Sequence, residues 1–238
     1  MRNWKFNHID FSTYPFYEGS DLGVFWSPEK TLVKIWAPTA HLIELRLYKD
    51  GQSGEHFHKT TLQPDGKGLW STILKGDYEG KFYTLRINDG EWLEEVPDIY
   101  ARCVGVNGKR GMIFNPAKTN PENWEADKGP YIQNSTDAII YETHVRDFSI
   151  AANSGIKNKG KYLAFTEGGT KTVNGTGTGL DHLTELGITH VHLLPVADFV
   201  TVDEEFPSEK YNWGYDPQNF NVPEGSYSTN PFNGAVRI

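Results

Sequence analysis

One stretch late in the chain combines the side chains that suit a ligand with flat faces and many hydroxyl groups. Residues 211–217 read Tyr-Asn-Trp-Gly-Tyr-Asp-Pro. The rings of Trp213 and Tyr215 can stack on a pyranose ring, and Asn212 and Asp216 can hydrogen-bond its hydroxyl groups. A loop packed around its own aromatic rings, with no ligand, explains the same residues equally well. The residue types alone leave both interpretations open.

The elements before this stretch predict where it lies. Residues 138–141 and 189–194 are short apolar runs typical of strands buried on both faces. Between them, a glycine-rich loop leads to three leucines at helical spacing within residues 180–186. Strand, helix and strand in this order predict a βαβ unit of a parallel sheet. Loops that follow parallel strands face the ligand side of such a sheet, and after Val196 the sequence predicts loop throughout.

The boundaries of that helix carry their own signals. Thr178 followed by Asp181 resembles the hydrogen-bonding pair that begins a helix. Gly187 is placed to end it, since glycine adopts the left-handed conformation that closes many helices. We therefore predict a helix between these residues.

The first half of the chain predicts a β-sandwich. Residues 43–48 and 82–87 alternate apolar and polar side chains, as strands with one buried face do. Residues 31–36 and 70–74 are further strand candidates, and turn sequences rich in Asp, Asn and Gly separate these segments. Short strands at this spacing predict an immunoglobulin-like sandwich over about residues 14–113.

A polar stretch with three prolines separates the two patterns. It shows little hydrophobic periodicity, which is typical of a connection between domains. We predict a β-sandwich over residues 1–114, a linker over residues 115–136 and the βαβ-containing part over residues 137–238.

Composition excludes several classes of function. The formal net charge is −8 and no run of basic residues occurs, so nucleic acid is a poor partner. No apolar stretch approaches the about 18 residues of a membrane span. A single cysteine, Cys103, cannot form an internal disulfide, and the first residues lack a signal-peptide pattern. We therefore expect no membrane partner and a cytoplasmic location.

Two other groups of side chains suggest chemistry. His190 and His192 lie on one face of the second predicted strand, and such pairs hold metal ions in some barrel hydrolases. Two further residues follow in that strand, so we favour interior packing or hydrogen bonding. Glu142 and Asp147 lie near the first predicted strand as a possible acid pair, for which hydrogen bonding to neighbouring loops is the more common role.

Several segments resemble the type I pullulanases, which belong to the α-amylase superfamily, glycoside hydrolase family 13. The aromatic stretch, continuing to Thr229, resembles the signature segment of these enzymes. The other matching segments resemble the first barrel strand with its loop, the first helix, the second strand, and the starch-binding-type β-sandwich that precedes the barrel. They are residues 141–149, 179–183, 193–196 and 32–40. The sandwich segment is also shared with isoamylases and branching enzymes.

The resemblance implies a carbohydrate-binding β-sandwich followed by the first βαβ portion of a truncated (β/α)8 TIM barrel. It implies hydrolysis of α-1,6-glucosidic bonds in pullulan, amylopectin or glycogen-derived dextrins. Tyr215 matches the tyrosine that stacks on the sugar at the cleavage subsite, and Asn212, Trp213 and Asp216 are neighbouring substrate contacts. The family's catalytic carboxylates lie on later strands, so we expect no catalytic residue here. We expect no metal or cofactor in this chain, while calcium in the longer protein stays open.

Three alternatives remain. The sandwich alone can be an α-glucan-binding module without catalysis, with Trp36, Trp70 and Trp92 as possible stacking platforms. The chain can also belong to an isoamylase or branching enzyme, against which the aromatic stretch argues. The third alternative is a metal-dependent barrel hydrolase that uses His190 and His192.

We predict that this chain alone releases no reducing sugar from pullulan. Hydrolysis with retention needs two carboxyl groups about 5–5.5 Å apart. One of them must be held protonated, and no residue here matches that pair. A reducing-sugar assay, with an active debranching enzyme as positive control, checks this. Release above the blank by the purified chain would show that the hydrolytic pair is present.

Overall fold

The computed structural model describes residues 10–90 and 94–238. In these residues the chain forms twelve strands, one α-helix and short 3-10 helices. The strands are β1 (Gly23–Trp26), β2 (Lys30–Trp36), β3 (Ile43–Tyr48), β4 (His58–Thr61), β5 (Gln63–Pro64), β6 (Leu69–Lys75), β7 (Phe82–Ile87), β8 (Gly111–Met112), β9 (Ile140–Thr143), β10 (His190–Leu193), β11 (Ala197–Phe199) and β12 (Pro217–Pro223). The α-helix is α1 (Gly179–Glu185). The 3-10 helices are Phe11–Thr13, Asn88–Gly90, Val106–Gly108, Pro116–Lys118, Trp124–Ala126, Ser135–Asp137, Tyr162–Thr166, Gly225–Tyr227 and Gly234–Arg237.

The predicted β-sandwich is confirmed. One sheet has the strand order β1-β2-β6-β5 and the other β4-β3-β7-β8, and all their pairings are antiparallel. Side chains alternate between buried and half-exposed along β2, because successive residues of a strand point to opposite faces. The two inner faces therefore meet and exclude water between the sheets.

Aliphatic side chains and one tyrosine fill the sandwich core. They are Val33, Ile35, Ile43, Leu45, Leu47, Leu62, Leu74, Tyr83, Leu85 and Ile113. Full burial of each aliphatic side chain contributes about 1.5–3 kcal/mol to stability. Cys103 is also buried, which raises the pKa of its thiol to about 12, so it stays protonated and unreactive.

The strand, helix and strand predicted in the second part are present. Strand β10 pairs with β9 in parallel, with His190 opposite Ile140, and α1 lies between them in the chain. This helix is too short to cross a bilayer, and it is the only α-helix among the residues that the structure describes. The parallel pair places the residues that follow β9 and β10 at one edge.

The helix lies between the predicted residues, but the side chain of Thr178 does not cap its first turn. Gly187 has a φ of +72° and the amide of Ile188 donates to the carbonyl of Leu183, which closes the last turn. The hydroxyl of Thr178 donates to the carbonyl of Ser154 instead of capping the helix. Asp181 accepts from the amide of Gly169, so both side chains hold the preceding loop in place.

The prediction that the chain is loop-like after Val196 is wrong. Strands β11 and β12 form an antiparallel pair in which Asp198 lies opposite Asn219. The pairing contains two register shifts, and β12 begins and ends with proline. Polar side chains at three of its seven positions and proline at two others hide the apolar alternation that predicts a strand.

The segment predicted as a linker carries no strand. Between residues 115 and 136 it holds two complete 3-10 helices, and residues 121–131 are exposed. The domain boundaries at 1–114, 115–136 and 137–238 remain a prediction.

Arg237 joins the second part of the chain to the segment that follows β7. Its side chain is fully buried, and Nη1 donates to Asp198 Oδ1 and Glu204 Oε1, both at 2.9 Å. Nη2 donates to Glu204 Oε2 at 2.7 Å and faces the carbonyl of Gly105 at 3.4 Å. Glu204 also accepts from the amide of Asn107 at 2.9 Å. These charge-assisted bonds join elements about 130 residues apart in sequence.

The acids around Arg237 are unusual because a third buried carboxyl group lies with them. Glu224 accepts from the amides of Phe199 and Ser226 at 2.9 and 2.8 Å. Burial raises the pKa of Glu224 to about 7 and that of Asp198 to about 8, against the opposing effect of their hydrogen-bond donors. The single guanidinium is therefore the cation that keeps this acidic cluster stable inside the protein.

We expect Arg237→Ala to lower the free energy of unfolding by about 3–5 kcal/mol, because it leaves buried carboxyl groups without a cation. Urea denaturation at pH 8 measures this. Arg86→Ala removes a partly exposed ion pair with Asp89 and a bond to its backbone carbonyl, and should cost about 0–1 kcal/mol.

The loss in Arg237→Ala should be smaller at pH 5. A buried carboxyl group whose pKa is raised in the folded state adds to the stability of the protein when the pH is below its ordinary pKa of about 4. It loses this contribution as the pH rises through its pKa in the folded protein, because the group must then ionise while buried. An equal loss at pH 5 and pH 8 would show that the carboxyl charges are not the cause.

Candidate functional site

The aromatic stretch lies in the long loop between β11 and β12, at the edge where β9 and β10 end. His144 directly follows β9, and Leu194 to Val196 follow β10. Loops at the carboxyl ends of parallel strands converge, so residues distant in sequence share this edge. The position matches the sequence prediction.

Asn212 and Asp216 are brought together by hydrogen bonds within the loop. Asn212 Nδ2 donates to Asp216 Oδ1 at 2.7 Å and to the hydroxyl of Thr201. That hydroxyl donates to Asp216 Oδ2 at 2.9 Å, and Asn212 Oδ1 accepts from the amide of Gly214 at 2.7 Å. Most of the hydrogen-bonding capacity of these two predicted contact residues is therefore used to shape the loop.

Trp213 and Tyr215 point outward instead. They are 59% and 71% exposed, so neither ring plugs the loop. The ring of Tyr211 meets that of Trp213 edge to face, with centroids 5.5 Å apart. The loop thus presents aromatic faces to solvent on a backbone fixed by polar side chains, which is the arrangement needed to stack on a flat ligand.

Gly214 lets the loop approach the chain that leaves β10. Its φ is +90°, and a Cβ atom there would lie 2.3 Å from the carbonyl oxygen of Pro195. Only glycine tolerates both the backbone conformation and the contact. The turn between Trp213 and Tyr215 therefore depends on it.

A buried histidine supports the loop from beneath. His144 is 5% exposed, and its Nε2 lies 2.9 Å from the carbonyl oxygen of Asn212 and 3.0 Å from the hydroxyl of Tyr227. The ring of Tyr211 stacks on its ring, with centroids 5.0 Å apart. The hydroxyl of Tyr211 donates to Asp147 Oδ2 at 2.8 Å. Burial and this bond raise the pKa of Tyr211 to about 12.

The competing candidates form no comparable site. His190 and His192 are exposed rather than packed inside, because only β9 pairs with their strand. His192 Nδ1 faces Glu142 Oε2 at 3.3 Å, and Asp147 accepts from Arg146 and Tyr211. Asp147 therefore has the role favoured for it, hydrogen bonding to neighbouring residues, whereas Glu142 lies against His192.

One trio of acidic groups in the described part of the chain lies close enough to share a cation. It consists of Asp198, Glu204 and Glu224, with ligand atoms within 4.8 Å of one another. The guanidinium of Arg237 already lies against two of them. This charge is part of the fold.

Of the tryptophans considered as stacking platforms, the structure describes Trp36 and Trp70. Trp36 Nε1 donates to the carbonyl of Pro15 at 3.1 Å, and Trp70 Nε1 donates to that of Ala37 at 3.2 Å. Trp70 also packs against the sandwich core. Trp92 lies outside the described residues.

Sequence reasoning missed His144, Thr201 and Tyr227 as parts of the site. They lie 10 to 70 positions from the aromatic stretch, and none belongs to a spacing pattern. The available signal was the resemblance, because His144 and Tyr227 lie in segments that resemble the type I pullulanases, residues 141–149 and the stretch that continues to Thr229.

Comparisons with known proteins identify relatives of this chain. Residues 21–101 match the family model of carbohydrate-binding module 48, the isoamylase N-terminal domain. The chain is 46% identical to the pullulanase of Bacillus subtilis (strain 168) over 93% of its own length and 30% of that protein. It is 32% identical to the chloroplastic pullulanase 1 of Arabidopsis thaliana over 93% of its length and 26% of that protein.

A solved structure matches closely as well. The pullulanase of Paenibacillus barengoltzii, in complex with maltohexaose and α-cyclodextrin, is 50% identical, with a TM-score of 0.89. The match covers 93% of this chain and 34% of that one. The chain thus spans about a third or less of these relatives. The resemblance to the N-terminal portion of type I pullulanases is confirmed.

We expect Gly214→Ala to lower the free energy of unfolding by about 2–4 kcal/mol, since it combines a strained φ with a clash against Pro195. Gly175→Ala is the matched control, because Gly175 has a φ of +86° but open space around it. It should cost about 1 kcal/mol, the strain alone. Urea denaturation of both variants measures the difference. Equal losses would show that the close approach is not required.

Proposed function

We propose that this chain is the front portion of a debranching glycoside hydrolase that cleaves α-1,6-glucosidic bonds in pullulan, amylopectin or glycogen-derived dextrins. The observation that carries the proposal is the exposed aromatic loop at the carboxyl edge of β9 and β10. Its position suits a sugar-stacking surface, and the chain is similar to pullulanases over nearly its whole length.

The second part of the proposal concerns the fold around that loop. We propose that β9, α1 and β10 begin a (β/α)8 barrel. The parallel pairing of the strands, the intervening helix and the ligand-side position of the loop all support this. The strands β11 and β12 would then form an excursion that carries the aromatic loop.

Within this site the proposed roles differ. Tyr215 provides the face on which a glucose ring stacks, and Trp213 adds a second exposed face. Asn212 and Asp216 hold these rings in position through their contacts with each other and with Thr201. Asp216 is half-buried, so one of its oxygens can also reach a sugar hydroxyl at the loop surface.

The hydrolytic carboxyl pair is proposed to lie outside this chain. Retaining hydrolysis needs a nucleophile and a protonated acid on either side of the scissile bond, both open to the substrate. Asp147 is engaged by Arg146 and Tyr211, and the buried acids are shielded by Arg237. The role proposed for this part is to hold and orient the glucan.

The β-sandwich is proposed to contact α-glucan as well. Its match to a carbohydrate-binding module supports this, as does the solved relative that carries maltohexaose and α-cyclodextrin. Trp36 and Trp70 use their indole N–H groups within the protein, so hydrogen bonds to a sugar would come from other surface groups.

We expect Tyr215→Ala to weaken the binding of a branched maltooligosaccharide about tenfold, because stacking on the ring contributes on the order of 1 kcal/mol or more. Isothermal titration calorimetry measures this. Tyr215→Phe keeps the face and should bind within about threefold of the unmodified chain. Tyr131→Ala, at a tyrosine that is 87% exposed and lies outside the aromatic stretch, controls for loss of any surface ring. Unchanged affinity in Tyr215→Ala would contradict the proposal.

A further inference from the structure

A single buried imidazole connects the end of a parallel strand to the aromatic loop. His144 follows β9 directly and contacts the loop 68 residues later, through the carbonyl oxygen of Asn212. We infer that His144 is a positioning residue for substrate binding, which holds the backbone of Asn212 so that Trp213 and Tyr215 face the glucan. This inference rests on the proposed function.

The hydrogen bonds of His144 define which nitrogen carries its proton. Nδ1 lies 3.1 Å from the backbone nitrogen of Arg146, whose N–H group must donate to it. Nδ1 is therefore unprotonated, and the proton of the neutral ring lies on Nε2. Nε2–H donates at 2.9 Å to the carbonyl oxygen of Asn212, which can only accept, and the hydroxyl of Tyr227 lies 3.0 Å from the same nitrogen. The strand end thus orients the ring, and the ring holds the loop.

Aromatic rings keep the imidazole in this orientation. Tyr211 stacks on it at an interplanar angle of 27°, and Tyr227 meets it edge to face at 89°. Tyr227 is itself buried against Tyr162 and Phe199. Because Tyr211 and Tyr227 pack against different sides of the imidazole, they restrict its rotation. The hydrogen bond from Nε2 to the loop therefore has a fixed direction.

Packing alone does not hold the loop on this side. A cavity of about 100 Å³ lies beside His144, Asn212 and Tyr227, with Lys161 and Ser226 also on its wall. A loop that borders empty space can move into it when its hydrogen bond is lost. The bond from His144 therefore holds the backbone carbonyl of Asn212, in addition to the bonds that the Asn212 side chain makes within the loop.

Movement of Asn212 would be passed to the exposed rings. The side chain of Asn212 accepts from the Gly214 amide, and Gly214 lies against Pro195 with no room for a Cβ atom. Trp213 lies between Asn212 and Gly214 in the chain, and Tyr215 follows Gly214 directly. Loss of the His144 bond should change the orientation of both rings while the rest of the fold stays intact.

Two substitutions separate the hydrogen bond from the packing of the ring. His144→Gln can place an amide N–H near the position of Nε2 but has no ring. His144→Phe keeps a ring for Tyr211 to stack on but cannot donate to Asn212. If the phenylalanine variant does not fold, His144→Met replaces it as the apolar variant, because methionine adapts to irregular spaces.

The first measurement is the affinity for a branched maltooligosaccharide by calorimetry. We expect His144→Gln to bind within about threefold of the unmodified chain and His144→Phe to bind about tenfold more weakly, the usual effect of losing one hydrogen bond. Equal or tighter binding by the phenylalanine variant would overturn the inference.

The second measurement needs no ligand. Protein labelled with 5-fluorotryptophan gives a ¹⁹F resonance for Trp213, which the Trp213→Phe variant identifies. We expect this resonance to shift in His144→Phe and to stay in place in His144→Gln, and the reverse order would overturn the inference. If the unmodified chain binds no glucan, the proposed function fails, while the ¹⁹F result still decides the role of His144.

Discussion

The guanidinium of Arg237 lies in a fully buried position between Asp198 and Glu204, and Glu204 in turn holds the amide of Asn107. Three buried carboxyl groups within reach of one another would repel and would each lack hydration. One fixed cation with planar donors satisfies two of them at once. The buried ionic contacts of Arg237 therefore stabilise the β11–β12 pair and the loop between these strands. They also connect this pair to the segment after β7.

The aromatic loop combines exposure with rigidity. Trp213 and Tyr215 are open to solvent, yet the backbone around them is fixed by Asn212, Gly214 and the buried His144. A surface that is already ordered loses little conformational freedom when a sugar stacks on it, which favours binding. The partly buried polar residues of the stretch thus fix the backbone, and the exposed aromatic residues present their rings to solvent.

The two parts of the chain obtain their stability in different ways. The sandwich depends on an aliphatic core between two antiparallel sheets. The second part has small apolar clusters, a two-stranded parallel pair and a buried ionic cluster. Apolar burial tolerates many substitutions of similar volume, whereas a buried ionic cluster depends on each partner. Sensitivity to single substitutions should therefore concentrate around the loop and its support.

Local patterns in the sequence determined four of the eight sandwich strands, β2, β3, β6 and β7. They also determined the parallel βαβ order, the end of the helix at Gly187 and the aromatic stretch as the candidate site. Each of these depends on neighbours in the chain, through alternation, helical spacing or glycine conformation. Only the tertiary structure decided the β11–β12 pairing, the burial of Arg237 among acids and the bond from His144 to the loop. These depend on side chains tens of residues apart, and hydrogen bonding between such groups leaves no periodic trace in the sequence.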